Sequence, residues 1–342
     1  MLSMVYNKKI RIFINGFGRI GRSAARILLD DSRFELVGIN DIFSFKQMLS
    51  LLQYDSVYGL LKHKIELCND RLLLENHSPV ILFNQPNPSE LLLSSLNVDI
   101  VLECSGYFLT VESCRPFLDA GAKRVIISTP PRDEMAMFIV GVNEKAYQDE
   151  PVISNASCSA NAIVPIFQIL HEIYGIESAM LSMYHSYTSY QRLLDGKHYS
   201  DDMRRARSAT QNIIPLQSSA AKATAYFFPH LDDRLYAKSI RVPLKAVTFY
   251  DLSIKIGKKT TLQKLKASFT EAVLQKYKNI LDISTEPKVS SDYIQNLYSA
   301  VVDIPLCDVQ DETLLRIAAW QDNEYGYARR LIDMAWVVGC KL

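Results

Sequence analysis

The sequence predicts an α/β protein of two domains, the first a doubly wound, mostly parallel sheet. Three observations carry that expectation. At 342 residues the chain is too long for one small core. A glycine-rich turn, Gly16–Gly21, joins a short apolar strand to a helix. Between Val98 and Ser154, apolar strand-like runs alternate with a helical stretch, as buried parallel strands require.

The bulk numbers exclude several classes. A hydrophobic fraction of 48% and a charged fraction of 22% are ordinary for a globular chain. Net charge is +1, from 38 Lys+Arg against 37 Asp+Glu, so nothing asks for nucleic acid or an anionic membrane. No apolar run approaches the roughly 20 residues of a membrane span. The N-terminal MLSMVYNKK is too short in its apolar part for a signal peptide. The six cysteines are scattered without a CxxC pair, which argues against a zinc site or a disulfide framework. A reduced, cytoplasmic protein without a bound metal is expected.

Arg11–Ile14 reads as the first strand, and it enters Asn15-Gly16-Phe17-Gly18-Arg19-Ile20-Gly21. This is GxGxxG: one glycine for a tight turn, one for close approach of a pyrophosphate, one for helix–strand packing. Ser23–Leu29 follows as helix, then Phe34–Ile39 as strand, closing on Asp41. An acid at the end of the second strand bonds both ribose hydroxyls of a dinucleotide and repels a 2′-phosphate, which favours NAD over NADP. Val98–Cys104 and Arg124–Ser128 read as further strands around a helix at Val111–Ala120. Ser128 stands at a strand's C-terminal end, where doubly wound sheets bind ligands. The segment 54–97 is left undrawn beyond a small meander. Val152–Ser154 closes the first domain, set at 1–157.

Cys158 follows within Ser154-Asn155-Ala156-Ser157-Cys158-Ser159, ahead of the helical pattern Ile163–Ile173. A helix start stabilises a thiolate through unpaired N–H groups and the macrodipole. The bland alternative is a small core cysteine. His185 ends the strand-like stretch after that helix and is the candidate partner, a thiolate–imidazolium pair being the expected chemistry. The other histidines show no metal-ligand spacing. Arg204, Arg205 and Arg207 lie among small polar residues, which suits a small anion better than nucleic acid. Ser218, Ser219 and Lys222 follow, and Arg241 is flanked by Ile240 and Val242 on a strand. Such an arginine needs an anionic partner or solvent. Thr248–Ile256 and Leu314–Trp320 read as strands, Leu262–Gln275 as a helix, and a last apolar helix is expected to complete the first domain.

With these residues in place, the sequence resembles the phosphorylating glyceraldehyde-3-phosphate dehydrogenases over essentially its whole length. The stretches INGFGRIGR at 14–22, SNASCSAN at 154–161, HSYT at 185–188, RRARSATQNIIP at 204–215, IRVP at 240–243 and WQDNEYGY at 320–327 carry the likeness. The resemblance implies a Rossmann domain completed by a C-terminal helix at 323–342, and an α+β catalytic domain, 158–322, with a mostly antiparallel sheet. It implies that Cys158 attacks the aldehyde with His185 as base, and that inorganic phosphate resolves the resulting thioester. Thr188 and Arg241 would hold the substrate's phosphate; Ser157, Ser159, Arg205, Ser218 and Ser219 would surround the attacking one. Gly16, Gly18, Arg19, Ile20, Gly21, Asp41 and Ser128 would serve NAD, Asn323 would orient the nicotinamide carboxamide, and Tyr327 would pack near it. A homotetramer is implied, in glycolysis or gluconeogenesis.

The chain departs from the family pattern at Tyr190, where a small polar residue is usual, at Ser218-Ser219, at Ser159-Ala160, at Ala162 and at Lys197. The cysteine and histidine are intact. Two rival readings are a non-phosphorylating erythrose-4-phosphate dehydrogenase and a catalytically silent NAD-binding protein.

Overall fold

The structure, a computed structural model, describes residues 8–342. Residues 1–7, part of the stretch read as too short for a signal peptide, lie outside the described residues. The chain forms two compact units: residues up to Ala156 together with Ala328–Leu342, and Ser157–Tyr327. Asn323–Tyr327 thus belong with the second unit, where a helix at 323–342 was expected to join the first. The reason is local. Asp322 accepts from the backbone of Glu324, Tyr325 and Gln295, and a Cβ on Gly326 would come within 2.6 Å of the Tyr298 carbonyl.

The first unit runs β1 (Ile10–Asn15), α1 (Arg19–Leu29), β2 (Phe34–Asn40), α2 (Phe45–Gln53), β3 (Tyr54–Asp55), β4 (Gly59–Leu60), β5 (Ile65–Cys68), β6 (Arg71–Leu74), β7 (Val80–Phe83), β8 (Ile100–Glu103), α3 (Val111–Asp119), β9 (Arg124–Ile127) and β10 (Val152–Ser154). Its sheet has the order β10-β9-β8-β1-β2-β7-β6-β5. β1 pairs in parallel with both β2 and β8, which places the switch point of the winding at its C-terminal end. Ile12, Phe13 and Ile14 are fully buried, as a central strand covered on both faces demands. Segment 54–97 folds as the β3–β4 ribbon and the antiparallel run β5–β6–β7. The final helix α7 (Tyr325–Gly339) ends against this sheet: a Cβ on Gly339 would meet Ile10 Cδ1 at 2.2 Å.

The second unit holds α4 (Cys158–Tyr174), β11 (Ile176–Ser186), β12 (Ile214–Gln217), α5 (Ala220–Phe227), β13 (Leu235–Val242), β14 (Thr248–Ile256), α6 (Leu262–Leu274), β15 (Leu281–Ser284), β16 (Ala300–Asp303), β17 (Asp308–Gln310) and β18 (Leu314–Gln321). The sheet order is β12-β13-β11-β14-β18-β16-β15, with β17 on β18. Only the β11–β13 and β15–β16 pairs are parallel, so this is the mostly antiparallel α+β sheet. β14 alternates strictly: Thr248, Tyr250, Leu252, Ile254 and Ile256 are buried and Ser253 and Lys255 exposed. α4 packs on β11 and β16, which sets the first residue of α4 beside the end of β11.

Candidate active site

In the first unit, the GxGxxG turn does what its spacing predicts. Gly16 has φ of +91°, and a Cβ there would sit 2.3 Å from the Ser105 amide nitrogen after β8. Gly21 lies under Gly16, where a Cβ would come within 2.1 Å of its carbonyl. Gly18 differs, since its Cβ would meet nothing within 4 Å. It is the N-cap of α1 without a side-chain cap, so the first-turn N–H groups stay available to an anion. A cavity of about 670 Å³ opens there, lined by Gly16, Gly18, Asp41, Gln85, Ser105 and Phe108 among others. Asp41 holds the rim through the backbone amides of Phe17 and Ile42. These residues fit a dinucleotide. Of the other expected residues, Arg19 spends its side chain on Asp55 and the Tyr58 ring, and Ser128 lies at the end of β9; neither lines the cavity, nor do Ile20 and Gly21.

Beneath the turn sits Glu103, 1% exposed, which sequence reasoning missed. It accepts from Asn15, from the Ser105 hydroxyl and amide, and from the Gly106 amide. Burial outweighs these four donors and pushes its carboxyl up to about 7. A charge closing the apolar run Ile100–Leu102 was the available signal.

In the second unit, Ser157 caps α4 by accepting from the Ala160 amide at 3.0 Å, a bond worth about 1 kcal/mol. Ala156, with φ of +53°, bends the chain into that cap. The Cys158 Sγ then lies 3.9 Å from His185 Nε2. His185 Nδ1 is 2.6 Å from the Ser186 carbonyl, which can only accept. The proton is therefore on Nδ1, and the bare Nε2 faces the thiol.

The electrostatics differ from the expected ion pair. Burial pushes the Cys158 thiol up, with the Arg241 guanidinium and Ser159 pulling it back. Burial and then Arg241 hold His185 down at about 3. Burial of both groups, and Arg241 acting on His185, weigh against the expected thiolate–imidazolium pair.

Arg241 is set opposite His185 by the β11–β13 register, and its Nη1 donates to the Ser186 carbonyl at 3.1 Å. Its buried Nε has no hydrogen-bond partner among the described residues, a cost of about 1–3 kcal/mol that a bound anion would offset. Of the three clustered arginines, Arg204 pairs with Asp202 and Arg207 with Asp195. Arg205 has no such partner among the described residues, and its charge reaches Arg241, lowering it after burial. Thr188 is held by Gln191, whose Oε1 accepts from its amide at 2.8 Å and its hydroxyl at 3.0 Å. Ser218 and Ser219 follow β12 at the end away from Arg241, three register pairs or about 10 Å along. Neither bonds Cys158, His185 or Arg241 among the described residues. Asn323 accepts from the Ser186 hydroxyl at 3.0 Å, and Tyr327 is buried at the start of α7. Gln191, Tyr250 and Gln321 are the polar residues of this unit that sequence reasoning missed.

A doubly wound nucleotide unit joined to an antiparallel unit carrying this site defines a class, the two-domain nicotinamide-dependent dehydrogenases. Residues 10–111 match the family model "Glyceraldehyde 3-phosphate dehydrogenase, NAD binding domain", and 157–323 match the C-terminal domain model of the same family. The chain is 38% identical over 337 residues to the chloroplastic glyceraldehyde-3-phosphate dehydrogenase GAPA1 of Arabidopsis thaliana, covering 98% of this chain and 85% of that one. It is 38% identical over 334 residues to the glyceraldehyde-3-phosphate dehydrogenase of Geobacillus stearothermophilus, covering 97% and 99%. With glyceraldehyde-3-phosphate dehydrogenase 1 of Kluyveromyces lactis it shares 36% over 326 residues, covering 95% and 98%. The chain belongs to the glyceraldehyde-3-phosphate dehydrogenase family, and its cofactor is NAD.

Proposed function

We propose that the protein oxidises D-glyceraldehyde 3-phosphate with NAD and inorganic phosphate, giving 1,3-bisphosphoglycerate in glycolysis or gluconeogenesis. The observation that carries this is the bare His185 Nε2 at 3.9 Å from the Cys158 thiol, with the Arg241 charge alongside. His185 takes the thiol proton as Sγ adds to the aldehyde carbon, and returns it to the oxyanion of the thiohemiacetal. NAD, when bound, supplies the two-electron acceptor that carries the adduct to the thioester level. His185 takes the hydroxyl proton in that step. An oxygen of inorganic phosphate then attacks the carbonyl, the C–S bond breaks, and the Cys158 thiolate leaves.

Arg241 and Thr188 are assigned to the substrate's phosphate, supported by the partnerless Arg241 Nε. Arg205, with Ser157, Ser159, Ser218 and Ser219, is assigned to the attacking phosphate. Asn323, whose Oδ1 is taken by Ser186, presents its amide NH₂ to the nicotinamide carboxamide, with Tyr327 nearby. Among the described residues no helix is long and apolar enough to cross a membrane. A cytoplasmic site and a homotetramer complete the proposal. Met180, Tyr184 and Tyr236 stand exposed on the outward side of the second unit's sheet, as an interface between copies requires.

The test is NADH formation from glyceraldehyde 3-phosphate with and without phosphate or arsenate, alongside Cys158→Ser. Fast, phosphate-dependent turnover lost in the variant is expected. Phosphate-independent turnover, or preference for erythrose 4-phosphate, would overturn the reading.

A further inference from the structure

Cys158 is the first residue of α4, so its amide has no acceptor within the helix. Its carbonyl is gripped from outside the helix as well. Gln321 Nε2, at the end of β18, donates to the Cys158 carbonyl at 3.0 Å. A carbonyl only accepts, so the amide orientation is fixed and Gln321 Oε1 faces away. That oxygen accepts from the Tyr250 hydroxyl at 2.7 Å. Thr248 is the register partner of Gln321 across β14–β18, which puts Tyr250 two residues along, at diagonal reach. Gln321 is 1% exposed and Tyr250 is fully buried. Ser159 hydrogen-bonds toward both the thiol and the Tyr250 phenol. Two residues beyond Gln321, Asn323 accepts from Ser186, the neighbour of His185. One short segment therefore grips the backbone of the thiol residue and the side chain beside the imidazole.

We propose that Gln321, locked by Tyr250, is the positioning residue that sets the Cys158 thiol against His185. This rests on the reading of Cys158 as nucleophile. At 3.9 Å the Sγ–Nε2 contact is already at the far end of hydrogen-bonding range, so a further displacement of the first turn breaks it. Small misplacements of reacting groups are costly, up to about a hundredfold in rate per ångström. The substrate and cofactor touch neither Gln321 nor Tyr250 in this scheme, so binding constants stay where they are.

The test uses the full-length protein and two variants. Gln321→Leu combined with Tyr250→Phe removes both partners of the buried bond together, so neither is left unsatisfied by loss of the other. Tyr250→Phe alone leaves the amide in place but unlocked. In the double variant kcat should fall roughly tenfold or more while the KM values for aldehyde, NAD and phosphate stay within about twofold. Alkylation of Cys158 by iodoacetamide, followed by mass spectrometry without substrate, should slow and change its pH dependence. Tyr250→Phe should lie between, and it carries the test alone if the double variant does not fold. A folded variant with unchanged kcat and alkylation profile would overturn the proposal, as would a lowered Tm as the sole effect. Failure of the nucleophile reading looks different: Cys158→Ser would then keep turnover.

Discussion

Arg241 and His185 share one acceptor. The Ser186 carbonyl takes Arg241 Nη1 at 3.1 Å and His185 Nδ1 at 2.6 Å, from opposed residues of β13 and β11. A fixed positive charge is thereby tied to the imidazole proposed as the proton acceptor.

Removing that charge moves two titrations in the same direction. The guanidinium stabilises the Cys158 thiolate and repels a protonated His185, so it lowers both. In Arg241→Met the thiol becomes a weaker acid, and the pH profile of Cys158 alkylation moves to higher pH. His185 should take up its proton above the value of about 3 held in the native protein, as followed by NMR of its ring. KM for the aldehyde phosphate should rise roughly 10–100-fold, the worth of a charge-assisted contact. An unmoved alkylation profile would contradict the shared-acceptor account.

The arginine cluster predicts a contrast among neighbours. Arg205→Leu should raise KM for inorganic phosphate about tenfold or more, because its guanidinium makes no ion pair among the described residues and its charge reaches Arg241. Arg204→Leu and Arg207→Leu remove surface pairs with Asp202 and Asp195 and should leave that KM within about twofold. Equal effects in all three would sink the assignment.

The three glycines separate folding from binding. Gly16→Ala and Gly21→Ala drive a Cβ into backbone at 2.3 and 2.1 Å, so circular dichroism and thermal melting should show a damaged first unit. Gly18, at φ of −68°, has open space where its Cβ would go. Gly18→Ala should melt with the parent yet lose roughly tenfold or more in NAD affinity by calorimetry. Normal NAD binding in Gly18→Ala would remove the turn from the cofactor site.

Glu103 makes a prediction about stability. Its folded value of about 7 lies above the ordinary value of 4.5, so the folded state binds this proton more tightly. The contribution is complete below pH 4.5 and is lost as pH rises through about 7. Glu103→Gln stays neutral throughout and, from a lower baseline, should gain on the parent by about 3 kcal/mol across that window. Guanidinium unfolding of both proteins at several pH values measures it. Parallel curves would show that Glu103 does not titrate there.

What the sequence disclosed was local. Gly16, Gly18 and Gly21 encode a turn by their spacing, and Cys158 announces itself at a strand-to-helix junction. The alternation of Thr248–Ile256 reads directly as a half-buried strand. Segment 54–97 stayed dark because strands of two to four residues are shorter than the pattern needed to detect them. Tyr250 and Gln321 meet across a register 71 residues apart, which periodicity does not encode. The Ser186 carbonyl is backbone and leaves no trace in residue identity. The ionisation state of the cysteine and histidine depends on how dry they are, and burial of that kind emerges only when α4, β11 and β13 assemble.

Helix α7 has a consequence for how the protein is made. The first unit is discontinuous, its last piece arriving only at Ala328–Leu342. Trp336 meets Phe34 edge to face with ring centres 6.0 Å apart, Arg329 bonds Asp31, and Gly339 presses on Ile10. A ribosome translating this message has therefore released the whole of the second unit before the nucleotide-binding unit receives its closing helix. Until then the apolar seat of that helix is bare, so the nascent chain carries an unfinished unit to the end of synthesis. A message truncated before codon 328 leaves a polypeptide whose exposed seat marks it for chaperones and proteases.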